Sequence, residues 1–231
     1  MRIFYIHGFG ENEGIFNKIS PFVPGEKAFL NVWELLGDAP RPGINVLDFA
    51  DELVQKYIIT KNDVVIGHSM GGWIALHIKY LTGCRIVQIA SWTDPTRILS
   101  SFKSPGLYLW LVRHGFIFNR FVKWVSISKN YRDKPSIDIY RDAFDRLMQG
   151  NKENVINQLR LILMPVPENV AITPDLRIHA LADTIVRPPK EPFYEVPGDH
   201  FTLYTHPQMV YEPIVAFLAK SAPGENSFKK G

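Results

Sequence analysis

The residues best suited to chemistry are Gly67-His68-Ser69-Met70-Gly71, which follow the apolar run Val64-Val65-Ile66 and precede Gly72-Trp73-Ile74-Ala75-Leu76. A Gly-x-Ser-x-Gly sequence between a buried strand and a helix has the form of a sharp strand-to-helix turn. A serine hydroxyl is a poor nucleophile unless it is exposed, aimed and paired with a base. Such a turn does the aiming, and the glycines remove side chains that would collide across it. The helix N-terminus that follows offers unpaired N–H groups and the positive end of a dipole. The chemistry implied is acyl transfer, which also requires a base and an acid to orient it. Seven histidines compete for the role of base.

Around this motif, the chain must supply a rigid frame. Its 231 residues, 46% hydrophobic and 21% charged, are enough for one substantial core. A formal charge of +3 is too small to imply a nucleic-acid partner. The lone Cys84 excludes an intrachain disulfide and suits a reducing compartment, so a cytoplasmic location is expected. The N-terminal apolar run is too short for a signal segment, and no stretch approaches the roughly 18 apolar residues of a membrane span.

Short apolar runs at 2–7, 28–32, 63–67, 85–90, 176–181 and 193–196 read as strands, several of them covered on both faces. Helical patterns alternate with them, which predicts an α/β fold with a mostly parallel sheet of about six strands. Asn45 reads as an N-cap ahead of a helix from Val46 to Tyr57. A second helix is expected from Met70 to Thr82, with Gly83 as its stop. The last helix should open near Pro207 and reach Leu218, with Pro213 delaying or kinking its start. Residues 221–231 are polar, with Pro and Gly, and are expected to be disordered.

Residues 94–174 break the alternation, being far too long for one crossover helix. They read as a helical insertion over the carboxyl end of the strands, where open α/β sheets place their ligands. Its second half predicts helices at 136–150 and 154–163. Its first half carries Phe102, Tyr108, Trp110, Phe116, Phe118, Phe121 and Trp124.

The elbow, the His7-Gly8-Phe9-Gly10 loop, the turn His179-Ala180-Leu181-Ala182-Asp183-Thr184-Ile185-Val186 and the loop Gly198-Asp199-His200 together resemble the α/β-hydrolase superfamily. The resemblance spans nearly the whole chain, and the motifs follow the family order Ser, Asp, His. It implies a serine hydrolase with Ser69 as nucleophile, His200 as general base and Asp183 as the orienting acid. It places the oxyanion donors at the backbone N–H groups of Phe9 and Met70. It also implies a sheet trimmed of the two usual antiparallel first strands, with 28–32 at one edge beside 2–7, then the elbow strand, then the rest in chain order. Ala180 stands where the family's acid turn has glycine. Asp94 is the rival acid, and Asp199 reads as a loop residue. His206 reads as part of a helix start, and His7 as support for the oxyanion loop. His68 should point away from the serine, while His77, His114 and His179 read as packed or solvated. The two prolines at 188 and 189 predict a turn where the family carries a helix.

The resemblance implies a carboxylesterase acting on a small-molecule acyl substrate through an acyl-enzyme. A thioesterase, a carbon–carbon bond hydrolase and a non-catalytic ligand-binding protein remain open. No metal-ligand spacing and no Gly-x-Gly-x-x-Gly after a strand is present, so no metal or other cofactor is expected. From Arg97 to Lys134 there are eight basic residues and one acidic residue, Asp133. These cations suit an anionic part of the substrate, a membrane surface or simply a solvated face. The sequence does not give the oligomeric state.

Overall fold

The computed structural model describes residues 1–98, 104–166 and 172–220. Within them six strands form one sheet: β1 (Arg2–Ile6), β2 (Glu26–Leu30), β3 (Val64–His68), β4 (Arg85–Ile89), β5 (Leu176–Ala180) and β6 (Tyr194–Val196). The order is β2-β1-β3-β4-β5-β6, and every pairing is parallel. This is the strand order that the resemblance implied. Helices α1 (Val32–Leu36) and α2 (Val46–Tyr57) precede β3, and α3 (Met70–Thr82) follows it. Among the described residues four α-helices lie between β4 and β5: α4 (Pro105–Arg113), α5 (Arg120–Asn130), α6 (Ile137–Gln149) and α7 (Lys152–Leu163). The short α8 (Thr202–Thr205) and α9 (Pro207–Ala219) follow β6.

Successive strand side chains point to opposite faces, and the core divides accordingly. Phe4, Ile6 and Val65 pack with Phe49 and Leu53 of α2 and Ile74 of α3. Ile3, Tyr5, Val64 and Ile66 belong to a second cluster with Val210 and Ile214 of α9. Full burial of one such side chain stabilises the fold by about 1.5–3 kcal/mol. Strand β3 contributes to both clusters, so the serine follows an element held from both sides.

Local signals fix the helix ends. Asn45 caps α2, accepting from the N–H groups of Leu47 and Asp48, and Asp48 returns a bond to the Asn45 N–H. Gly83, at φ 70°, ends α3 in the left-handed region. Asn151 caps α7, which starts two residues earlier than the apolar pattern suggests. The edge strand β2 lies two residues before its expected position. Asn31 accepts a hydrogen bond from Trp33 N–H and opens α1, an element the sequence pattern did not reveal. Helix α9 begins at Pro207 without delay and carries Pro213 in its interior. Between Asp183 and His200 no helix forms, as the proline pair predicted.

The helices between β4 and β5 are tied down by buried amides. Asn154 of α7 donates to the carbonyls of Trp33 and Gly37, and Asn157 donates to Ala39. Trp73 of α3 donates from Nε1 to Leu161 O at 3.0 Å. Phe102 and the 221–231 tail lie outside the described residues.

Candidate active site

Ser69 sits between β3 and α3 with φ 51° and ψ −119°, a left-handed conformation that non-glycine residues rarely adopt. Such strain costs on the order of 1–3 kcal/mol and persists only where its surroundings enforce it. Ser69 N–H donates to Ile89 O at 2.9 Å, and Ser91 Oγ donates to Ser69 O at 2.7 Å. The flanking glycines are sterically required. A Cβ on Gly71 would lie 1.9 Å from Ile6 O, and one on Gly67 would lie 2.2 Å from Gly71 O.

Asp183 stands in the turn after β5. One carboxylate oxygen accepts from the N–H groups of Ile185 and Val186 at 2.7 and 2.9 Å. The other lies 2.8 Å from His200 Nδ1 and 3.3 Å from His179 Nε2. Burial alone would raise this carboxyl pKa. The two imidazoles outweigh burial and hold it well below the ordinary carboxylate range. His179, which the sequence pattern marks only as a packed or solvated histidine, is thus a second imidazole on the same acid. Its Nε2 also lies 3.1 Å from Val186 O, so that nitrogen carries the proton. No hydrogen bond joins the Ser69 hydroxyl to His200 among the described contacts.

The rival residues are engaged elsewhere. Asp94 is exposed and accepts from both the N–H and the hydroxyl of Thr96. Asp199 accepts from Ser136 Oγ and Phe201 N–H. His206 precedes α9 and its Nδ1 meets the Thr205 hydroxyl. His77, buried, contacts Trp73 O through Nδ1.

The loop after β1 approaches the elbow from the other side. A Cβ on Gly8 would lie 3.0 Å from the Ser69 Cβ. His7 braces this loop: Nε2 accepts from Val32 N–H at 3.1 Å, and Nδ1 donates to Gly8 O at 2.9 Å. Those two bonds fix a neutral imidazole, and burial lowers its pKa. The N–H groups of Phe9 and Met70 donate to no acceptor among the described residues.

Beneath the turn lies a pair that the sequence pattern did not reveal. Glu11 accepts from Gly8 N–H at 2.7 Å and meets His68 Nδ1 at 2.8 Å. The other nitrogen, His68 Nε2, donates to His200 O at 2.8 Å, so both ring nitrogens face acceptors, the arrangement that suits an imidazolium beside a carboxylate. Burial opposes charge on both partners, but their attraction outweighs it, lowering the Glu11 pKa and raising that of His68.

Above the serine is a cavity of about 370 Å³, lined among others by Ser69, Phe9, Trp92, Tyr108 and Tyr131. Among the described residues the buried Trp92 Nε1 has no hydrogen-bond partner, and the buried Tyr131 hydroxyl has only the Thr184 side chain beside it. Helices α4 to α7 each contribute to the wall. Among the described residues, no group of three or more His, Cys, Asp or Glu side chains could hold a metal ion.

The sequence model of the alpha/beta hydrolase family matches residues 3–212. The chain belongs to the alpha/beta hydrolase family. The family match and the solved neighbours support a hydrolytic enzyme, and the solved structures share the fold. An enol-lactonase from Burkholderia xenovorans LB400 superposes with a TM-score of 0.73 at 14% identity, covering 94% of this chain and 91% of that one. A thermophilic esterase from Thermogutta terrifontis gives 0.70 at 17%, covering 95% and 90%. The thioesterase of the prodiginine pathway of Streptomyces coelicolor gives 0.53 at 16%, covering 95% and 89%. No curated protein matches the chain in sequence.

Within the alpha/beta hydrolase frame, Ser69, Asp183 and His200 all lie just beyond the carboxyl ends of their strands, or in the loop after β6. That is the end at which α/β sheets bind ligands. No helix among the described residues is long and apolar enough to cross a membrane.

Proposed function

We propose that this chain hydrolyses a carboxylic ester through an acyl-enzyme, with Ser69 as nucleophile, His200 as general base and Asp183 as the acid that orients it. The observation that carries this reading is the 2.8 Å contact from His200 Nδ1 to Asp183, formed at the sheet end that also holds the strained Ser69. A carboxylate held ionised fixes the Nδ1–H tautomer, which leaves His200 Nε2 unprotonated and able to act as base.

In the reaction, Nε2 takes the Ser69 proton as Oγ attacks the ester carbonyl. The resulting oxyanion is met by the N–H groups of Phe9 and Met70. The imidazolium then protonates the alkoxide leaving group, and the C–O bond breaks to give the acyl-enzyme. Water, deprotonated by the same nitrogen, repeats the sequence and frees the acid. The Ser69–His200 hydrogen bond forms on substrate binding, since such contacts commonly tighten only in the Michaelis complex. The helices between β4 and β5 act as a cap that selects the substrate. A cavity of about 370 Å³ suits a small or medium acyl group.

Ser69→Ala tests this reading. Hydrolysis of short acyl esters and labelling by a fluorophosphonate should both vanish while the circular-dichroism spectrum is kept. Unchanged turnover would remove Ser69 from the mechanism, and a folded wild type that never labels would favour ligand binding without catalysis. Matched esters and thioesters of several chain lengths decide between an esterase and a thioesterase.

A further inference from the structure

Helices α4 and α5 carry several of their large apolar side chains outward. On α4, Leu107 and Trp110 are 52% and 50% exposed. On α5, no residue is buried, and Phe121 and Trp124 are 70% and 65% exposed. Phe116, in the connection, is 58% exposed and stacks on Trp110 with ring centroids 5.8 Å apart. The exposed positions of α5 are Arg120, Phe121, Trp124, Val125, Ser128 and Lys129, a continuous stripe at helical spacing. A helix packed on a core should present polar residues along that stripe. Here aromatic rings occupy its middle and cations its two ends.

The charge around this face is also one-sided. Arg113 is paired with Glu153, and Lys123 with Asp145. The exposed Arg120, Lys129 and Arg132 form no ion pair among the described residues, and Asp133 is the nearest acid in the chain. Exposed aromatics beside uncompensated cations are the combination that seats a helix at a lipid–water interface. The rings enter the acyl boundary while the cations meet anionic headgroups. A contiguous apolar patch of this kind is uncommon on a monomer unless it binds something.

We propose that the outer face of α4 and α5 docks on an anionic phospholipid surface. The inner faces of the same helices supply Tyr108, Ser126 and Asn130 to the cavity above Ser69. Docking therefore lays the bilayer against the cavity wall, and the substrate class becomes an acyl ester that partitions into membranes. That last step rests on the hydrolase reading; the docking itself does not.

The test is sedimentation of the full chain with vesicles. It should bind vesicles of phosphatidylglycerol and phosphatidylcholine in equal parts, and bind pure phosphatidylcholine far less. Binding should weaken as salt is added. The double variant Phe121→Ser, Trp124→Ser should lower partitioning by roughly tenfold or more, because two large rings no longer leave water. Tryptophan emission should shift to shorter wavelength on vesicle binding, more weakly in the variant, where Trp110 is the one tryptophan left on this face. Neither substituted residue lines the cavity, so turnover of a water-soluble short ester should be retained. No affinity for anionic vesicles, or affinity that the double variant leaves unchanged, overturns the proposal. So does concentration-dependent dimerisation without lipid that the variant abolishes, since the face would then cover a second copy. Loss of the hydrolase reading would appear separately, as turnover surviving in Ser69→Ala while vesicle binding persists.

Discussion

His68, one residue before the strained serine, donates its Nε2 proton to the backbone carbonyl of His200 at 2.8 Å. Its other nitrogen meets Glu11, which also holds the N–H of Gly8. One buried ion pair thereby joins the loop after β1, the elbow and the histidine loop. These segments lie far apart in sequence, and their mutual position decides whether Ser69, His200 and the two free N–H groups converge.

Removing Glu11 should therefore be costly. Glu11→Leu leaves His68 buried without its counter-charge, and breaking such a pair typically costs about 3–5 kcal/mol. Urea unfolding of wild type and variant at neutral pH measures it. The milder Glu11→Gln keeps a hydrogen bond but not the charge, so the His68 imidazole should be neutral at pH 7. Nitrogen chemical shifts of that ring report its state, and a ring still protonated in Glu11→Gln would contradict the assignment.

The pH dependence of stability follows from the directions of the shifts. Glu11 and Asp183 have lowered pKa values, so their contribution is present above the ordinary carboxylate range and is lost as pH falls through their folded values. His68 has a raised pKa, so its contribution is complete below the ordinary histidine value and is lost as pH rises through its folded value. Stability should peak between these limits. In Glu11→Gln the alkaline loss due to His68 should disappear, as thermal melts across pH would reveal.

Asp183→Asn should preserve the fold near neutral pH but lower kcat by about 10⁴-fold, because an amide does not hold His200 in the Nδ1–H tautomer. Ester turnover of purified protein tests this. A loss under tenfold would point instead to Asp94 or to a mechanism without an orienting acid.

Tyr131→Phe separates recognition from stability. The buried hydroxyl has only the Thr184 side chain beside it, so deleting it should change the melting temperature little. If substrate accepts from this hydroxyl, kcat/KM should fall by an amount equivalent to about 1–3 kcal/mol. A less stable variant with full activity would show that the hydroxyl serves the fold.

Gly71→Ala should prevent proper folding or destabilise by about 3 kcal/mol, since its Cβ would collide with the Ile6 carbonyl of the neighbouring strand. Comparison with Gly106→Ala, where a Cβ meets nothing within 4 Å, isolates the steric effect.

Local rules made much of this molecule legible. Gly67, Ser69 and Gly71 announce the turn because its strain is set by adjacent residues. Asn45 and Gly83 mark helix ends because a cap acts over one turn. Strand order followed from resemblance, since nothing local dictates that β1 lies between β2 and β3. What escaped depends on convergence in space. Glu11 carries no motif of its own, and only the fold brings it to His68 and buries it. His179 reads as a strand residue, because its contact with Asp183 needs the chain to turn back at Ala180. Helix α1 was missed because its five residues are too few for a periodic pattern, and the Asn31 cap looks like a strand end.

The two outer strands carry a further consequence. Strand β2 is five residues long and opens with the exposed Glu26 and Lys27, and β6 has only three residues. Neither rim offers the long, uncharged backbone template on which a foreign strand could zip, so even at high concentration the sheet should resist growing into fibres.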